Sequence, residues 1–426
     1  MKNASGIVDS DDISRPYEIK IMDTKALFAH DARDTRLDLF LGMANWFIFV
    51  DHIPNNMVNW ITLRNFGFSG AVDVFIFISG YTAAAVYAKI MLERGVVVGA
   101  TRVLRRAWQL YAAWVVLFAV YVVAIGDVAT RYAAPDIIYE FNIAGLVEEP
   151  VRTVAHGLLL QSRALNLDAL QLYVMLMACF PVVLWAMLRK PGLTMLGSLT
   201  LYFAARHFDW NLSSFPDGSW YFNPLCWQLL FVLGAWCALG GTKLCQTKSQ
   251  IPVYLGIVYL VFALVMTMAG RFPEFGKTLP VWLFDAFIPN DKTNLAPYRL
   301  LHFVVVAFLV TRFMPSDWHG LKWPLLRPII LCGQQSLAVF CVGVFLSFAG
   351  HFVLVTSSGS LTEQVFVSVS GIAIMILVAS YISWSKRQDH PISVRKPSPK
   401  GGEPTYSTNV SATGRIGAYS PVQPSR

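Results

Sequence analysis

One stretch sets the terms for the rest of the chain: Arg36 to Asn56, RLDLFLGMANWFIFVDHIPNN, an apolar helix with ionisable groups at both ends. It opens with Arg36 and Asp38 and closes with Asp51, His52 and Pro54. At about 1.5 Å of rise per residue, Arg36 and His52 are predicted to lie roughly 24 Å apart along the axis, close to the thickness of a bilayer's hydrocarbon core. A guanidinium and an imidazole are then held at opposite membrane faces. Further apolar runs follow with short connections, at about 68–91, 107–126, 167–188, 192–205, 224–241, 251–269, 298–314, 335–355 and 363–384. The pattern predicts an all-α, polytopic transmembrane bundle of about ten spans.

Composition agrees with this reading. Of 426 residues, 55% are hydrophobic and 14% charged, too little charge to cover a soluble globule of that size. The net charge of +8 does not indicate a nucleic-acid partner, because Lys and Arg fall mainly in the connections and the tail, where they orient membrane helices. The first 35 residues are polar and contain no cleavable signal, so the first span is expected to direct insertion itself. The cysteines lie mostly in or beside apolar runs without metal-like spacing, and no metal site or bound cofactor is expected.

Basic residues set the orientation. Lys89, Arg94, Arg102, Arg105 and Arg106 share one loop with Glu93 alone, and Arg189, Lys190, Lys243, Lys248, Arg312, Lys322 and Arg327 occupy later connections of the same side. Those loops are expected to be cytoplasmic, as are both termini. The domain reading is a cytoplasmic segment 1–35, a membrane domain 36–384 and a disordered tail 385–426 rich in Pro, Ser, Gly and Lys. Two outer connections, 127–166 and 270–297, are long enough to carry interfacial or re-entrant helices.

If even-numbered spans start on the outer face, polar groups near their starts share a depth with His52. They are Asp73 in the second span, Asp168 and Gln171 in the fourth, Trp227 and Gln228 in the sixth, and Arg299 and His302 in the eighth. Each is costly in lipid, so together they predict one interior cavity. Consecutive helical side chains diverge by about 100°, which makes Asp51 a poor orienter of His52. Asp73 is the first choice for that role and Asp168 the second, since a carboxylate on one ring nitrogen fixes the tautomer and leaves the other as a base.

Structural readings compete with these. A histidine at a membrane interface is commonly a satisfied structural group. Arg36 also suits a positive-inside anchor paired with Asp38, and Asp73 and Asp168 suit helix caps. Arg299 and His302, three residues apart, fit a structural network on one helix face. The Arg102, Arg105 and Arg106 cluster is first a topology signal, and it also suits the phosphates of a nucleotide-bearing donor.

Taken together, RLDLFLGMANWFIFVDHIPNN, LRNFGFSGAVDVFIFISGY, FNPLCWQLLFVLG, KTNLAPYRLLHF and CGQQSLAVFCVGVFLSFAGH resemble the OpgC family of osmoregulated periplasmic glucan succinyltransferases, and FIFISGY resembles the second-span motif of the wider membrane acyltransferase-3 superfamily. The separation from Arg36 to His52 is longer than that superfamily's usual spacer. The resemblance implies a bacterial inner-membrane enzyme with its acceptor site facing the periplasm, using succinyl-CoA as acyl donor and a periplasmic glucan as acceptor. It places the catalytic role on the DHIP block, Asp51 and His52. On this view His52 is the general base, and CoA lies near Arg36 and the Arg102 to Arg106 cluster. Asn55, Trp227 or Gln228 is an oxyanion donor, and Arg299, or else Lys292, meets the succinyl carboxylate. Membrane lipid surrounds the bundle, and a homodimer is compatible with it. The rival classes are a transporter or flippase of a small acid or lipid-linked sugar, for which matched broken helices are not visible, a glycosyltransferase, and a scaffold.

Overall fold

A computed structural model describes residues 34–131, 149–162, 166–215, 217–241 and 249–388. Residues 1–33 of the expected N-terminal segment, the tail beyond Gln388, Lys243 and Lys248, and residues 132–148 of the first long outer connection lie outside the described residues. All ten apolar runs are helical: α1 (Thr35–Asp51), α2 (Ala71–Arg94), α3 (Val96–Arg131), α5 (Asp168–Arg189), α6 (Pro191–His207), α7 (Pro224–Ala238), α8 (Ile251–Arg271), α10 (Pro297–Phe313), α12 (Ser336–Thr356) and α13 (Leu361–Gln388). Three helices of seven to nine residues, α4 (Pro150–Leu158), α9 (Val281–Phe287) and α11 (Arg327–Gln334), and a single helical turn, Pro273–Gly276, lie in the connections. The first two occupy the long connections expected to carry structure of their own.

Six of the helices are long and apolar enough to cross a membrane: α2, α3, α5, α8, α12 and α13. The other four, α1, α6, α7 and α10, are 15–17 residues long. They reach only about 23–26 Å, just short of a typical hydrocarbon core. The protein is therefore a multi-pass membrane protein with at least six helices of spanning length.

Helix ends follow local chemistry. Asp34 caps α1 by accepting from the Arg36 N–H, Asn223 caps α7 by accepting from Leu225, and Pro opens α6, α7 and α10 at their first turn. Helix α3 runs 36 residues, well past the expected 107–126, and carries its Arg102 to Arg106 turn beyond the apolar stretch.

The bundle is built around α1 and α2. Helix α1 packs on α2, α11 and α12, while α2 also packs on α3, α5 and α7. Two of these crossings bring backbones into direct contact through reciprocal glycines. A Cβ on Gly80 would overlap the Phe231 carbonyl, and one on Gly234 the Phe77 carbonyl, so α2 and α7 each present a glycine to the other's backbone. Gly42 and Gly333 do the same for α1 and α11, against Ile329 and Asp38. Lipid tails are as apolar as leucine, so close packing between such small residues is a main source of helix association. Gly234→Ala is expected to force α2 and α7 apart and cost about 1–3 kcal/mol, read as a lower thermal midpoint in detergent.

The α1–α2 connection closes the end of the bundle at which α1 terminates. Two short 3₁₀ turns, Met57–Ile61 and Leu63–Asn65, are held down by Gln364, which accepts from the Met57 N–H, and by Asn56, which donates to Ser368 at 3.0 Å.

Candidate active site

The sequence places Asp73, Arg299 and His302 at one depth, and the fold joins them. Arg299 is 3% exposed and Asp73 fully buried; the guanidinium grips the carboxylate with Nε and Nη2, and Nη1 donates to the Phe68 carbonyl at 2.7 Å. Asp73, at the third position of α2, also accepts from the Gly70 N–H at 2.8 Å. His302 lies one turn along the same face of α10 and accepts from the Ser69 N–H at Nδ1 (3.3 Å), with the Ser69 hydroxyl 2.7 Å from the same nitrogen. Its ring sits where a Cβ on Gly67 would be. Arg299 and His302 therefore clamp the Gly67–Gly70 turn at the entrance to α2. Nε, Nη1 and Nη2 of Arg299 each make one bond in that clamp, so the guanidinium expected to meet a succinyl carboxylate is held against Asp73 and the Phe68 carbonyl.

The three side chains expected to serve an oxyanion are placed as follows. Trp227 is fully buried and its Nε1–H donates to the Lys292 carbonyl at 3.0 Å, with its ring 5.7 Å from the Arg299 Cζ. Gln228 points at α6, bonded to the hydroxyl and carbonyl of Ser198 at 2.7 and 2.8 Å. Neither amide nor indole N–H is left for an oxyanion. Asn55 sits exposed at the tip of the turn after Pro54, in left-handed backbone (φ 56°) that asparagine tolerates better than most residues.

His52 itself ends α1. Its Nδ1 lies 2.6 Å from the Ile48 carbonyl, which can only accept, so Nδ1 carries the proton. The orienting group is thus a carbonyl one turn back on its own helix. Neither Asp73, which belongs to Arg299, nor Asp168, which lies near Tyr121 and Tyr221, contacts the ring. The His52 carbonyl is approached at 3.5 Å by Asn166 Nδ2, which also reaches Tyr121 (3.1 Å) and Ser347 (3.3 Å). Sequence reading missed this polar knot of α3, α12 and the α5 approach, because Tyr121 and Ser347 sit inside apolar runs. Nε2 of His52 makes no hydrogen bond among the described residues.

Asp51 accepts from the Thr62 hydroxyl at 2.7 Å and lies 3.3 Å from Arg64 Nε, and the Arg64 guanidinium also reaches the Asp51 carbonyl. It therefore fastens the outer connection beside His52, and it does not orient the ring.

At the opposite end, Arg36 pairs with Asp34 at 2.7 Å rather than with Asp38 and donates to the Met314 carbonyl at 2.6 Å. Arg102 and Arg105 are exposed; Arg106 is half-buried, turned toward the Tyr173 hydroxyl of α5. Between the two ends, Asn45 faces the interior at 1% exposure with no hydrogen-bond partner for either amide atom among the described residues.

No curated protein and no solved structure matches the chain. A sequence profile described as OpgC protein matches residues 33–387, which takes in α1 with its terminal histidine, the clamp on α2 and α10, and the bundle around them. The chain belongs to the OpgC family.

Proposed function

We propose that this protein transfers a succinyl group from succinyl-CoA to a glucose hydroxyl of a periplasmic glucan, with His52 as general base. Family membership implies a transferase-type enzyme with a role in modifying osmoregulated periplasmic glucans. The observation that carries the finer reading is the state of the His52 ring. Nδ1–H is fixed on the Ile48 carbonyl, and Nε2 keeps an uncommitted lone pair at the outer end of the bundle. Nε2 takes the proton of the sugar hydroxyl as its oxygen attacks the thioester carbon. The C–S bond then breaks, and the imidazolium returns the proton to the leaving thiolate.

The donor has to approach from the other face, where Arg102 and Arg105 stand exposed and suit the CoA phosphates. Helix α1 connects the two faces in ten crossings that place both termini inside and the acceptor site on the periplasmic side of an inner membrane. Asp38, Asn45 and His52 recur at intervals of seven, within about 20° of one face. Asn45 stands roughly 10 Å below His52. Its orphaned donor and acceptor match an amide of the pantetheine arm. Asn45→Leu is expected to leave thermal stability equal or higher, because it removes two unsatisfied buried atoms, and to slow transfer about tenfold, the equivalent of about 1.4 kcal/mol. Initial rates and melting curves check both.

The direct test is purified protein given succinyl-CoA, acetyl-CoA and a neutral glucan, separately and together, with thiol release and ester formation followed. Ester formation that needs both donor and glucan is expected. Thiol release without glucan would point to an acyl-histidine or a hydrolase, and net solute flux without ester would favour a transporter.

A further inference from the structure

The segment between α9 and α10 is fastened at several points. The Lys292 carbonyl accepts from Trp227, the Thr293 carbonyl accepts from the Asn223 N–H at 3.0 Å, and the Asn294 N–H bonds the Asp291 carboxylate at 3.0 Å. Arg206 of α6 completes the anchorage, bonding Asp291 at 3.1 Å and the Asn294 carbonyl at 2.7 Å. The backbone of Lys292 is therefore held against α6 and α7, while its side chain is not. Among the described residues the Lys292 ammonium has no hydrogen-bond or ion-pair partner.

Its surroundings make that condition informative. Arg64, Arg299, Asp51 and Asp73 lie within electrostatic reach of the ammonium, and Lys292 in turn acts on His52. Arg299 is committed to Asp73, and Arg64 to Asp51. Three cations thus face two carboxylates, and the surplus charge is that of Lys292. Arg271, farther out and bonded to Asn65, adds to the same sign. Burial lowers the Lys292 pKa to about 8, with Arg299 and Arg64 acting in the same direction. A half-buried cation in this setting is stabilised by an anion brought in from outside.

We infer that Lys292 is the specificity-determining residue for the acyl group, its ammonium binding the free carboxylate of a succinyl thioester whose carbonyl carbon is presented to His52. The inference rests on the acyltransferase reading above. Two methylenes separate the carboxylate from the thioester carbonyl, so such a group requires a cation within electrostatic reach of the base, as Lys292 is of His52. An uncharged acyl group of the same length leaves the ammonium unpaired, and a site built around a polar partner rejects an analogue that lacks it more strongly than a purely apolar pocket does.

The test compares three donors on the full-length protein with a neutral glucan: succinyl-CoA, its monomethyl ester, which has the same chain but no charge, and acetyl-CoA. The wild type is expected to prefer succinyl-CoA over the methyl ester. In Lys292→Met that preference in kcat/KM is expected to fall about 10²-fold. Lys292→Arg, which keeps the charge, is expected to retain most of it, and it carries the test if the Met variant does not fold. A Lys292→Met protein of wild-type thermal stability that keeps the wild-type preference overturns the inference and leaves the acyltransferase reading standing. So does a variant that slows all three donors equally with an anionic glucan and not with a neutral one, since the lysine then serves the acceptor. A wild type that forms no ester from any donor removes the acyltransferase reading and this inference with it.

Discussion

His52→Ala is expected to lower ester formation by about 10²–10⁴-fold while the protein stays folded. A sugar hydroxyl is almost wholly un-ionised at neutral pH, so its attack on a thioester depends on a base that removes the proton during the step. Nε2 of His52 has the form this requires, because the Nδ1–H···O=C bond to Ile48 holds the ring in one tautomer. The structural cost of the change is modest. One side-chain hydrogen bond at the end of α1 is lost, worth about 0.5–1.5 kcal/mol, and the backbone cap of His52 on Ile48 and Phe49 stays. Melting curves in detergent and ester formation from succinyl-CoA measure the two parts independently. A stable His52→Ala protein that still esterifies the glucan at the wild-type rate would remove the histidine from the chemistry.

Arg299→Met and Asp73→Ala form the second large effect, and it falls on stability. The pair is almost fully excluded from solvent, and either single change leaves an uncompensated charge in the bundle. Breaking a buried pair in this way costs about 3–5 kcal/mol, whereas replacing both partners by apolar residues of similar volume costs much less. Asp73→Leu combined with Arg299→Met is therefore expected to recover much of the stability lost by either single variant. Arg299→Lys is not conservative here, because one ammonium cannot reproduce a two-point grip on Asp73 together with a third bond to Phe68. Folded yield and thermal midpoint report the result. A stable Arg299→Met protein that had lost only its response to the succinyl carboxylate would return Arg299 to substrate binding.

The two effects separate what the polar outer layer contains. The sequence predicts one depth for His52, Asp73, Arg299 and His302, and in the structure the last three are buried around the Gly67–Gly70 turn. It did not reveal that Asp73 belongs to Arg299, or that His52 is oriented from within α1. Arg299 and His302, three residues apart, both bond the Gly67–Gly70 stretch, which fits the structural network on one helix face. Asn45 was passed over because a single amide inside an apolar run carries no signal until its partners, or their lack, are visible.

The sequence by itself determined where the helices lie, the apolar character of the six that are long enough to cross a membrane, and the family, since hydrophobic runs and local motifs are properties of contiguous residues. Length settled less than apolarity did: four of the ten runs form helices of only 15–17 residues. Only the tertiary structure decided which polar groups are spent and which are free. Asp73 and Arg299 are 226 residues apart along the chain, and their pairing depends on how α2 and α10 meet around one turn. A carboxylate near a helix start has the same local sequence whether it orients a histidine, caps its helix or neutralises an arginine. The close approach of chain segments selects among these, and here it spends Asp73 and Arg299 on each other while His52 Nε2 and the Lys292 ammonium are left uncommitted among the described residues.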